Sequence, residues 1–231
     1  MYFEKASSQV RYNRESFIEG NPLFKSLFSG NFTKWQYLAY LKETYHLIKH
    51  TPKMLNLAAQ KVGDSDAWLR DFFLEFEHEE RGHDQLCVND IKAMNEDPER
   101  ILSIMPSGGS WAMVSQNYYN ATIGDPTAII GYAVATEGLG AEFAREVADL
   151  LESQYLFPSH ATTFLRVHGH EDIEHVELAK SAIEKYGSSP ESYRNIVHVW
   201  NLTLQYYGQL FQDSISLGNK WESDQTTTLV A

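Results

Sequence analysis

Cysteine and proline are scarce in this sequence, and both shortages narrow what the chain can be. Of 231 residues, one is cysteine and seven are proline. A single cysteine, Cys87, excludes a disulfide framework and any zinc or redox site built on a Cys-x-x-Cys pair. The few prolines leave long stretches in which a helix can run without interruption. Hydrophobic residues make up 43% of the chain, which is typical of a globular protein rather than a disordered one.

Positive charge is also in short supply. The formal net charge is −12 at pH 7 and the isoelectric point is about 5.1. Binding to nucleic acid or to an anionic membrane needs a basic patch, and the sequence has none, so we expect neither partner. No apolar run approaches the roughly 18 residues of a membrane-spanning helix, and the N-terminus has no apolar signal-peptide core. We therefore expect a cytoplasmic protein that acts on a small-molecule substrate, with a homodimer left open as its assembly.

The sequence does contain long segments with the periodicity of amphipathic helices. No run of alternating β-branched residues indicates a sheet, so the predicted fold class is all-α. Predicted helices cover residues 7–18, 33–62 with a restart at Pro52, 66–94, 111–120, 126–151, 158–186 and 190–217. Because no repeat or long linker divides them, we predict a single helical-bundle domain of seven to eight helices over residues 1–220, followed by a flexible tail over residues 221–231.

The segment HGHEDIEHVELA, residues 168–179, combines three histidines with four acidic residues. A helix advances about 100° per residue, which places His168, Asp172 and His175 on the apolar stripe of their helix. The other polar residues fall mostly on other faces, where we expect them to be solvated: His170, Glu171, Glu174 and Glu177. A buried carboxylate costs several kcal/mol unless it is paired or metal-bound. The His-x-x-x-Asp-x-x-His spacing therefore favours one wall of a metal site.

Two other predicted helices carry ligand-type residues on their apolar stripes. In the helix over residues 66–94, Glu80 and His83 form a core-facing Glu-x-x-His pair. Glu79 also shares a face with His83, but Glu80 lies closer to the centre of the stripe, and we prefer it. In the next long helix, Glu137 is the acid nearest the middle of the apolar face. Taken singly, these residues fit hydrogen-bonded core pairs at least as well as metal ligands.

Six ligand-type residues thus face the predicted core: Glu80, His83, Glu137, His168, Asp172 and His175. Three carboxylates and three histidines exceed the four ligands of a structural zinc site, which usually includes cysteine. They suit two metal ions with shared carboxylates and open positions. Iron fits such a mixed imidazole–carboxylate site, and manganese is the nearest alternative. A ferritin-like bundle would have two Glu-x-x-His motifs on two helices, but only one is clear here, so we expect a different scaffold.

Four segments of the chain resemble the heme-oxygenase-like diiron oxidases: residues 40–54, 79–86, 135–140 and 168–175. The most specific parts are the Glu-Glu-x-Gly-His run and the His-x-x-x-Asp-x-x-His run. The resemblance implies a heme-oxygenase-like fold in which the six residues above bind two iron ions that cycle between Fe(II) and Fe(III). It also implies that O2 is the co-substrate, activated to cleave, desaturate, decarboxylate or N-oxygenate a small molecule such as an amino acid or a fatty acid.

Two alternatives to this function stay open. The first is a metal-free thiaminase-like or PqqC-like enzyme, which would not need six ligand-type residues on core stripes. A thiaminase-like nucleophile would have to be Cys87, the only cysteine. The second is a non-catalytic iron-binding module.

The residues that contact the substrate are less well determined. Five aromatic residues are candidates for lining a pocket, although ordinary core packing is the favoured interpretation of each: Trp111, Tyr118, Tyr119, Tyr132 and Phe164. Four polar residues before Pro52 are candidates for contacting the metals or a substrate carboxylate, or for lying at the surface: Glu43, His46, Lys49 and His50. Asp172 shares its helix with two other predicted ligands, and we expect it to bind its metal loosely.

Overall fold

Every regular element in residues 1–230 is helical, which confirms the predicted all-α class. The computed structural model describes the backbone of these residues and the side chains of residues 1–224. The α-helices of this part of the chain are α1 (Tyr2–Gly20), α2 (Pro22–Phe28), α3 (Lys34–Ile48), α4 (Thr51–Val62), α5 (Ala67–Glu79), α6 (Asp84–Ala93), α7 (Pro98–Leu102), α8 (Gly108–Thr122), α9 (Ile129–Leu139), α10 (Arg145–Ser153), α11 (Thr163–Tyr186) and α12 (Pro190–Val230).

The long helix α12 organises the packing, since it contacts α1, α2, α3, α8 and α9. It approaches α9 closely at Gly131, where a Cβ would collide with the carbonyl of Ile196 and the amide of Trp200. A glycine at this position permits the backbones to approach. The buried apolar side chains of these helices form one continuous core. Within residues 1–224, none of the helices is both long and apolar enough to cross a membrane.

Helices α3 and α4 begin and end where the sequence predicts. Thr33 caps α3 in a capping box: the Gln36 amide donates to the Thr33 hydroxyl, and the Thr33 amide donates to the Gln36 side chain. Helix α3 ends at Ile48, and a new helix starts at Thr51 with Pro52 in its first turn. Pro52 therefore restarts the helix, as predicted, because proline cannot donate the hydrogen bond that a continuous helix needs.

The helix predicted over residues 66–94 is not continuous, and this prediction was wrong. It divides into α5 and α6 at residues 80–83, where Gly82 has φ = 86°. This left-handed conformation is open to glycine and unfavourable for other L residues, and it ends the regular helix. Because Glu80 follows the last residue of α5 and His83 precedes the first residue of α6, the break lies between two predicted metal ligands.

The helix predicted over residues 126–151 contains a different irregularity. A π-helical turn over Gly140–Ala144 separates α9 from α10 without a loop between them. A π-helical turn inserts extra backbone into a helix, and such turns occur frequently at functional sites. This turn packs against α11, which carries three of the predicted ligands.

The last helix extends further than predicted. Helix α12 runs from Pro190 to Val230, whereas the sequence predicts an end near residue 217. The segment 217–224 is polar enough to be read as the start of a tail, but its side chains partly pack, as Trp221 does against Trp35. The flexible tail predicted over residues 221–231 falls mostly on residues 225–231, which lie outside the described side chains.

Candidate metal centre

Glu80 lies where two groups of potential metal ligands meet. One donor atom from each of Glu80, His83 and His168 lies within 4.8 Å of the other two, and the same holds for Glu80, Glu137 and His175. The side chains come from the break between α5 and α6, from α9 and from α11. The fold therefore brings together five of the six predicted ligands, in two groups that share the buried Glu80 carboxylate.

The first group lies at the break between α5 and α6. His83 Nδ1 lies 3.5 Å from Glu80 Oε2, without a hydrogen bond, and the His83 and His168 rings are 5.0 Å apart between centroids. His168 Nδ1 lies 2.9 Å from the Phe164 carbonyl oxygen. A carbonyl can only accept, so Nδ1 carries the proton and donates it. That leaves the Nε2 lone pair of His168 free for a metal ion.

The second group is more deeply buried. His175 Nδ1 lies 3.0 Å from Glu137 Oε2, and His175 Nε2 lies 2.9 Å from Glu79 Oε2. Burial lowers the pKa of His175, but the hydrogen bond to Glu137 and the surrounding carboxylates outweigh burial and raise the pKa to about 9. Without a metal ion, His175 is therefore a cation that pairs with the carboxylates of Glu79 and Glu137.

Asp172 lies beside the second group, outside both sets of mutually close donor atoms. Its Oδ1 is 3.9 Å from His175 Nδ1 and has no hydrogen-bond partner within the protein. The carboxylate occupies the space at Gly140 that a Cβ would fill. Burial, followed by the negative charge of Glu137, raises the pKa of Asp172 to about 12. Asp172 is thus a buried acid whose ion pair with His175 is long, at 3.9 Å, and includes no hydrogen bond to Oδ1.

A divalent cation fits this donor set. Histidine nitrogens and carboxylate oxygens are ligands for iron, and thiolate is not required. Two donor atoms of the cluster, His83 Nδ1 and Asp172 Oδ1, are buried and have no hydrogen-bond partner within the protein. Buried polar atoms are normally paired, and a bound cation would satisfy both while supplying the positive charge that the carboxylates need.

Glu79 and Glu80 differ in what they contact. Glu80 belongs to both ligand groups and is 5% exposed, whereas Glu79 contacts the cluster through His175 alone and its side chain is 42% exposed. Burial raises the pKa of Glu80, but the neighbouring His83, His168 and His175 lower it by more. The net pKa lies below the ordinary value, so the carboxylate stays ionised. This geometry favours Glu80, and the assignment of the six residues as metal ligands stays a prediction.

The division of residues 168–179 into inward and outward faces is confirmed. Asp172 and His175 are buried and His168 is half-buried. The four residues that we expected to be solvated are all exposed: His170, Glu171, Glu174 and Glu177.

Four polar residues before Pro52 lie away from the two ligand groups, and none of them is a member of either group: Glu43, His46, Lys49 and His50. Glu43 pairs with the neighbouring Lys42, at 2.6 Å between Nζ and Oε1. The remaining three line a separate surface groove together with Trp111, Tyr118 and Tyr119. Of the five aromatic candidates, only Tyr132 and Phe164 lie beside the ligands.

Two small cavities lie at this end of the fold, of about 70 and 60 Å³. The first, which we call the metal cavity, is lined by Glu80, Glu137, His168 and Asp172 and by Tyr132, Phe164 and three threonines. The second, which we call the apolar cavity, is lined by side chains of α2, α3, α10, α11 and α12 and of the π-helical turn.

Two residues that line the metal cavity were not predicted from the sequence. Thr44 and Thr51 both line it, and their buried hydroxyls lie against those of Tyr40 and Tyr132. Their spacing of seven residues is a weak signal, because it places both on one helical face only if the restart at Pro52 preserves the phase.

Comparison with known proteins gives one family. The sequence model of a family described as iron-containing redox enzymes matches residues 38–208 of this chain. No sequence among the curated proteins matches.

Several solved structures share the fold. A domain of unknown function with a heme oxygenase-like fold from Shewanella denitrificans is 23% identical, with a TM-score of 0.85, over 99% of this chain and 96% of that one. A TenA homologue from Pseudomonas syringae is 12% identical, with a TM-score of 0.78, over 94% and 93%. Heme oxygenase-1 from the cyanobacterium Synechocystis, in complex with heme, is 11% identical, with a TM-score of 0.74, over 100% and 99%. The predicted heme-oxygenase-like fold is therefore confirmed.

Proposed function

Because the chain belongs to the family of iron-containing redox enzymes, we propose that it is a non-heme diiron oxidase that uses O2 to oxidise a small molecule. The observation that supports this most is the place of Glu80 in both ligand groups, since one shared carboxylate is suited to bridging two metal ions. The proposed ligands are Glu80, His83 and His168 for one iron, and Glu80, Glu137 and His175 for the other. Asp172 lies close enough to the second group to complete it.

The residues of the site have distinct parts in this proposal. Bound iron supplies the redox chemistry through which O2 oxidises the substrate. His168 donates through Nδ1 to Phe164 and so presents Nε2 to the metal cavity. His175 and Asp172 hold protons in the metal-free protein, and each would lose its proton as a cation binds, because a metal ligand must be deprotonated. Tyr132 and Phe164 form apolar walls that limit the access of water.

The reaction is the oxidation of a C–H or N–H bond in a small organic acid, with an amino acid and a fatty acid as the two substrate classes to compare. The outcome is cleavage, desaturation, decarboxylation or N-oxygenation. The metal cavity, at about 70 Å³, has room for O2 beside the proposed ligands.

One observation disfavours a metal-free, thiaminase-like reaction. Cys87 is fully buried, and burial raises the pKa of its thiol well above the ordinary value. A nucleophilic cysteine acts as a thiolate, which such an environment opposes. Cys87 is also absent from the lining of both cavities within the described residues.

Rapid mixing with O2 tests the proposal. The metal-free protein is loaded anaerobically with ferrous iron and mixed with O2 in a stopped-flow spectrometer, with and without candidate substrates. We expect a visible absorption change that decays faster with one substrate class than with the others. A protein that takes up no iron, or whose iron does not react with O2, would sink the proposal. A matched sample loaded with zinc serves as the control, because zinc has no redox chemistry.

A further inference from the structure

The surface groove beside the start of α4 has no part in the proposed function. Its volume is about 590 Å³, whereas that of the metal cavity is about 70 Å³. Sites for small molecules in proteins usually have volumes of roughly 300–1,000 Å³. Within the described residues, no member of either ligand group lines the groove. The groove is therefore a candidate for a second binding site, separate from the metal centre.

The groove exposes aromatic and apolar side chains to solvent. Trp111 and Tyr119 are 60% and 56% exposed, and Met105 and Ile123 are 71% and 77% exposed. Trp111 and Tyr118 lie seven residues apart on α8, so they share one face of that helix. Apolar side chains that cluster at a surface commonly mark a binding site. Because aromatic rings pack well against other rings, this cluster favours a ligand that contains one.

Lys49 gives the groove a positive charge. Among the described residues that line the groove there is no acid, and Lys49 is the one lysine or arginine. Its Nζ lies 2.8 Å from His46 Nδ1 and 4.9 Å from the centre of the Tyr45 ring, and Asp84 acts on its charge only from a distance. Lys49 thus has no ion-pair partner within the described part of the chain. In a protein of net charge −12, such a cation beside exposed rings favours an anionic ligand.

His46 holds the Lys49 ammonium in position. An ammonium group can only donate, so His46 Nδ1 accepts from it, and His46 Nε2 carries a proton that it donates to the Ile104 carbonyl at 2.8 Å. Burial, followed by the charge of Lys49, lowers the pKa of His46, which agrees with a neutral ring. Burial also lowers the pKa of His50, whose Nδ1 lies 3.0 Å from the Tyr118 hydroxyl. The positive charge of the groove therefore lies on Lys49, in a position fixed before any ligand binds.

We propose that the surface groove binds a small aromatic anion, such as an aromatic carboxylate. The anionic group pairs with Lys49 Nζ, and the ring packs against Trp111 and Tyr119. The volume of the groove suits a small molecule, and its charge and its exposed rings select the two parts of that molecule. This site does not rest on the proposed function, because the binding of such a ligand needs no iron.

Three ligands separate the contributions of charge and ring. 2-Naphthoate carries both, 2-naphthamide keeps the ring without the charge, and acetate keeps the charge without the ring. Calorimetry with the metal-free protein at low salt should show that 2-naphthoate binds about fivefold more tightly than 2-naphthamide, and acetate should not bind measurably. Added salt should remove most of that difference, because it screens the charge of an exposed lysine. Equal affinities for 2-naphthoate and 2-naphthamide at low salt would overturn the proposal.

Two variants place the ligand in the groove. Lys49→Met should weaken the binding of 2-naphthoate about fivefold and leave that of 2-naphthamide unchanged. Trp111→Leu should weaken the binding of both about tenfold, because each ligand loses its ring contact. Lys25→Met and Tyr12→Leu are the matched controls at exposed positions outside the groove lining, and they should change neither affinity. Controls that weaken binding as much as the groove variants would overturn the proposal.

Further outcomes separate this site from its alternatives. Binding of 2-naphthoate that Glu80→Gln weakens and Trp111→Leu does not would place the ligand at the metal centre and overturn the proposal. Sedimentation tests a second copy of the chain as the occupant, and a wild type that dimerises beside a monomeric Trp111→Leu variant would also overturn it. A protein that takes up no iron but binds 2-naphthoate through Trp111 would overturn the diiron proposal and leave this site standing.

Discussion

Glu43 and Asp172 are both buried carboxylates, but they differ in their partners. Glu43 Oε1 accepts from Lys42 Nζ at 2.6 Å, and Oε2 accepts from the Ser107 amide and the Ser110 hydroxyl at 3.0 and 2.6 Å. Asp172 Oδ1 has no hydrogen-bond partner within the protein. The Glu43 cluster joins α3 to the start of α8 and is complete without any ligand.

The difference separates a structural ion pair from a candidate binding site. Lys42 and Glu43 are each 1% exposed, and such a pair is tolerated only when its hydrogen bonds are satisfied. The metal cavity has more carboxylate than cation. Burial raises the pKa of Asp172, and the negative charge of Glu137 adds to the rise, whereas for His175 the hydrogen bond to Glu137 and the nearby carboxylates raise the pKa against the effect of burial. A fold that merely packed these residues would have no reason to keep three acids around one cavity. We therefore expect changes in the metal cavity to reduce iron binding and changes in the Glu43 cluster to reduce the stability of the fold.

The largest expected effect is on iron content. Glu80→Gln removes the carboxylate that both ligand groups share, so we expect loss of nearly all bound iron while the helical content stays unchanged. Metal analysis after anaerobic loading and desalting measures this. Glu79→Gln is the matched control, and it should retain most of its iron because Glu79 contacts only His175. Iron lost from Glu79→Gln and kept by Glu80→Gln would reverse the assignment.

The next largest effect is expected on the stability of the fold, at the Glu43 cluster. Lys42→Met leaves Glu43 buried without its cation, and breaking a buried pair in this way destabilises a protein by about 3–5 kcal/mol. Urea denaturation followed by circular dichroism measures the free energy of unfolding. Below its unfolding transition the variant should bind as much iron as the wild type. Reduced iron binding by folded Lys42→Met would contradict the separation of the two clusters.

Asp172→Asn should have a smaller effect, which depends on pH. Asp172 ionises near its ordinary pKa of 3.8 when unfolded and near 12 in the folded, metal-free chain. Between these values unfolding releases a proton, so Asp172 lowers the stability of the metal-free protein more as pH rises. Near neutral pH the variant should melt at a higher temperature than the wild type, by about 2–4 °C for each kcal/mol relieved.

The dependence of the two melting temperatures on pH checks that prediction. Below pH 3.8 Asp172 is protonated in both states, so the two melting temperatures should converge there. With iron bound the order should reverse, because the wild type gains a ligand that asparagine replaces poorly. An Asp172→Asn variant that is less stable than the metal-free wild type at neutral pH would show that the carboxylate is already well paired.

The smallest expected effect is that of a substitution at Gly82, where the backbone is left-handed. Gly82→Ala forces a Cβ into a left-handed conformation, which costs about 1–2 kcal/mol. The break between Glu80 and His83 should be disturbed, so the iron of the first ligand group should be lost before that of the second. Gly138→Ala, at a helical position with free space around it, is the control and should preserve both. Equal loss of both irons from Gly82→Ala would contradict a local effect.

The sequence predicted the helical class and the residues that converge on the centre, because both follow from periodicity. His168, Asp172 and His175 interrupt an apolar stripe, and a stripe is readable without coordinates. The break at Gly82 was not predicted, since apolar residues keep the helical phase on both sides and one glycine is tolerated in many helices. The hydrogen-bond partners of Glu43 could not be predicted from the sequence, because Ser107 and Ser110 approach it only through the tertiary fold.

Anaerobic titration of the metal-free protein with ferrous iron, followed by Mössbauer spectroscopy, tests directly whether the two ligand groups hold a pair of irons. We predict two irons per chain that are magnetically coupled after oxidation, because the Glu80 carboxylate is shared between their ligand groups. We also predict that Glu80→Gln abolishes the coupling. A single iron per chain, or two that are uncoupled and unaffected by Glu80→Gln, would contradict this prediction.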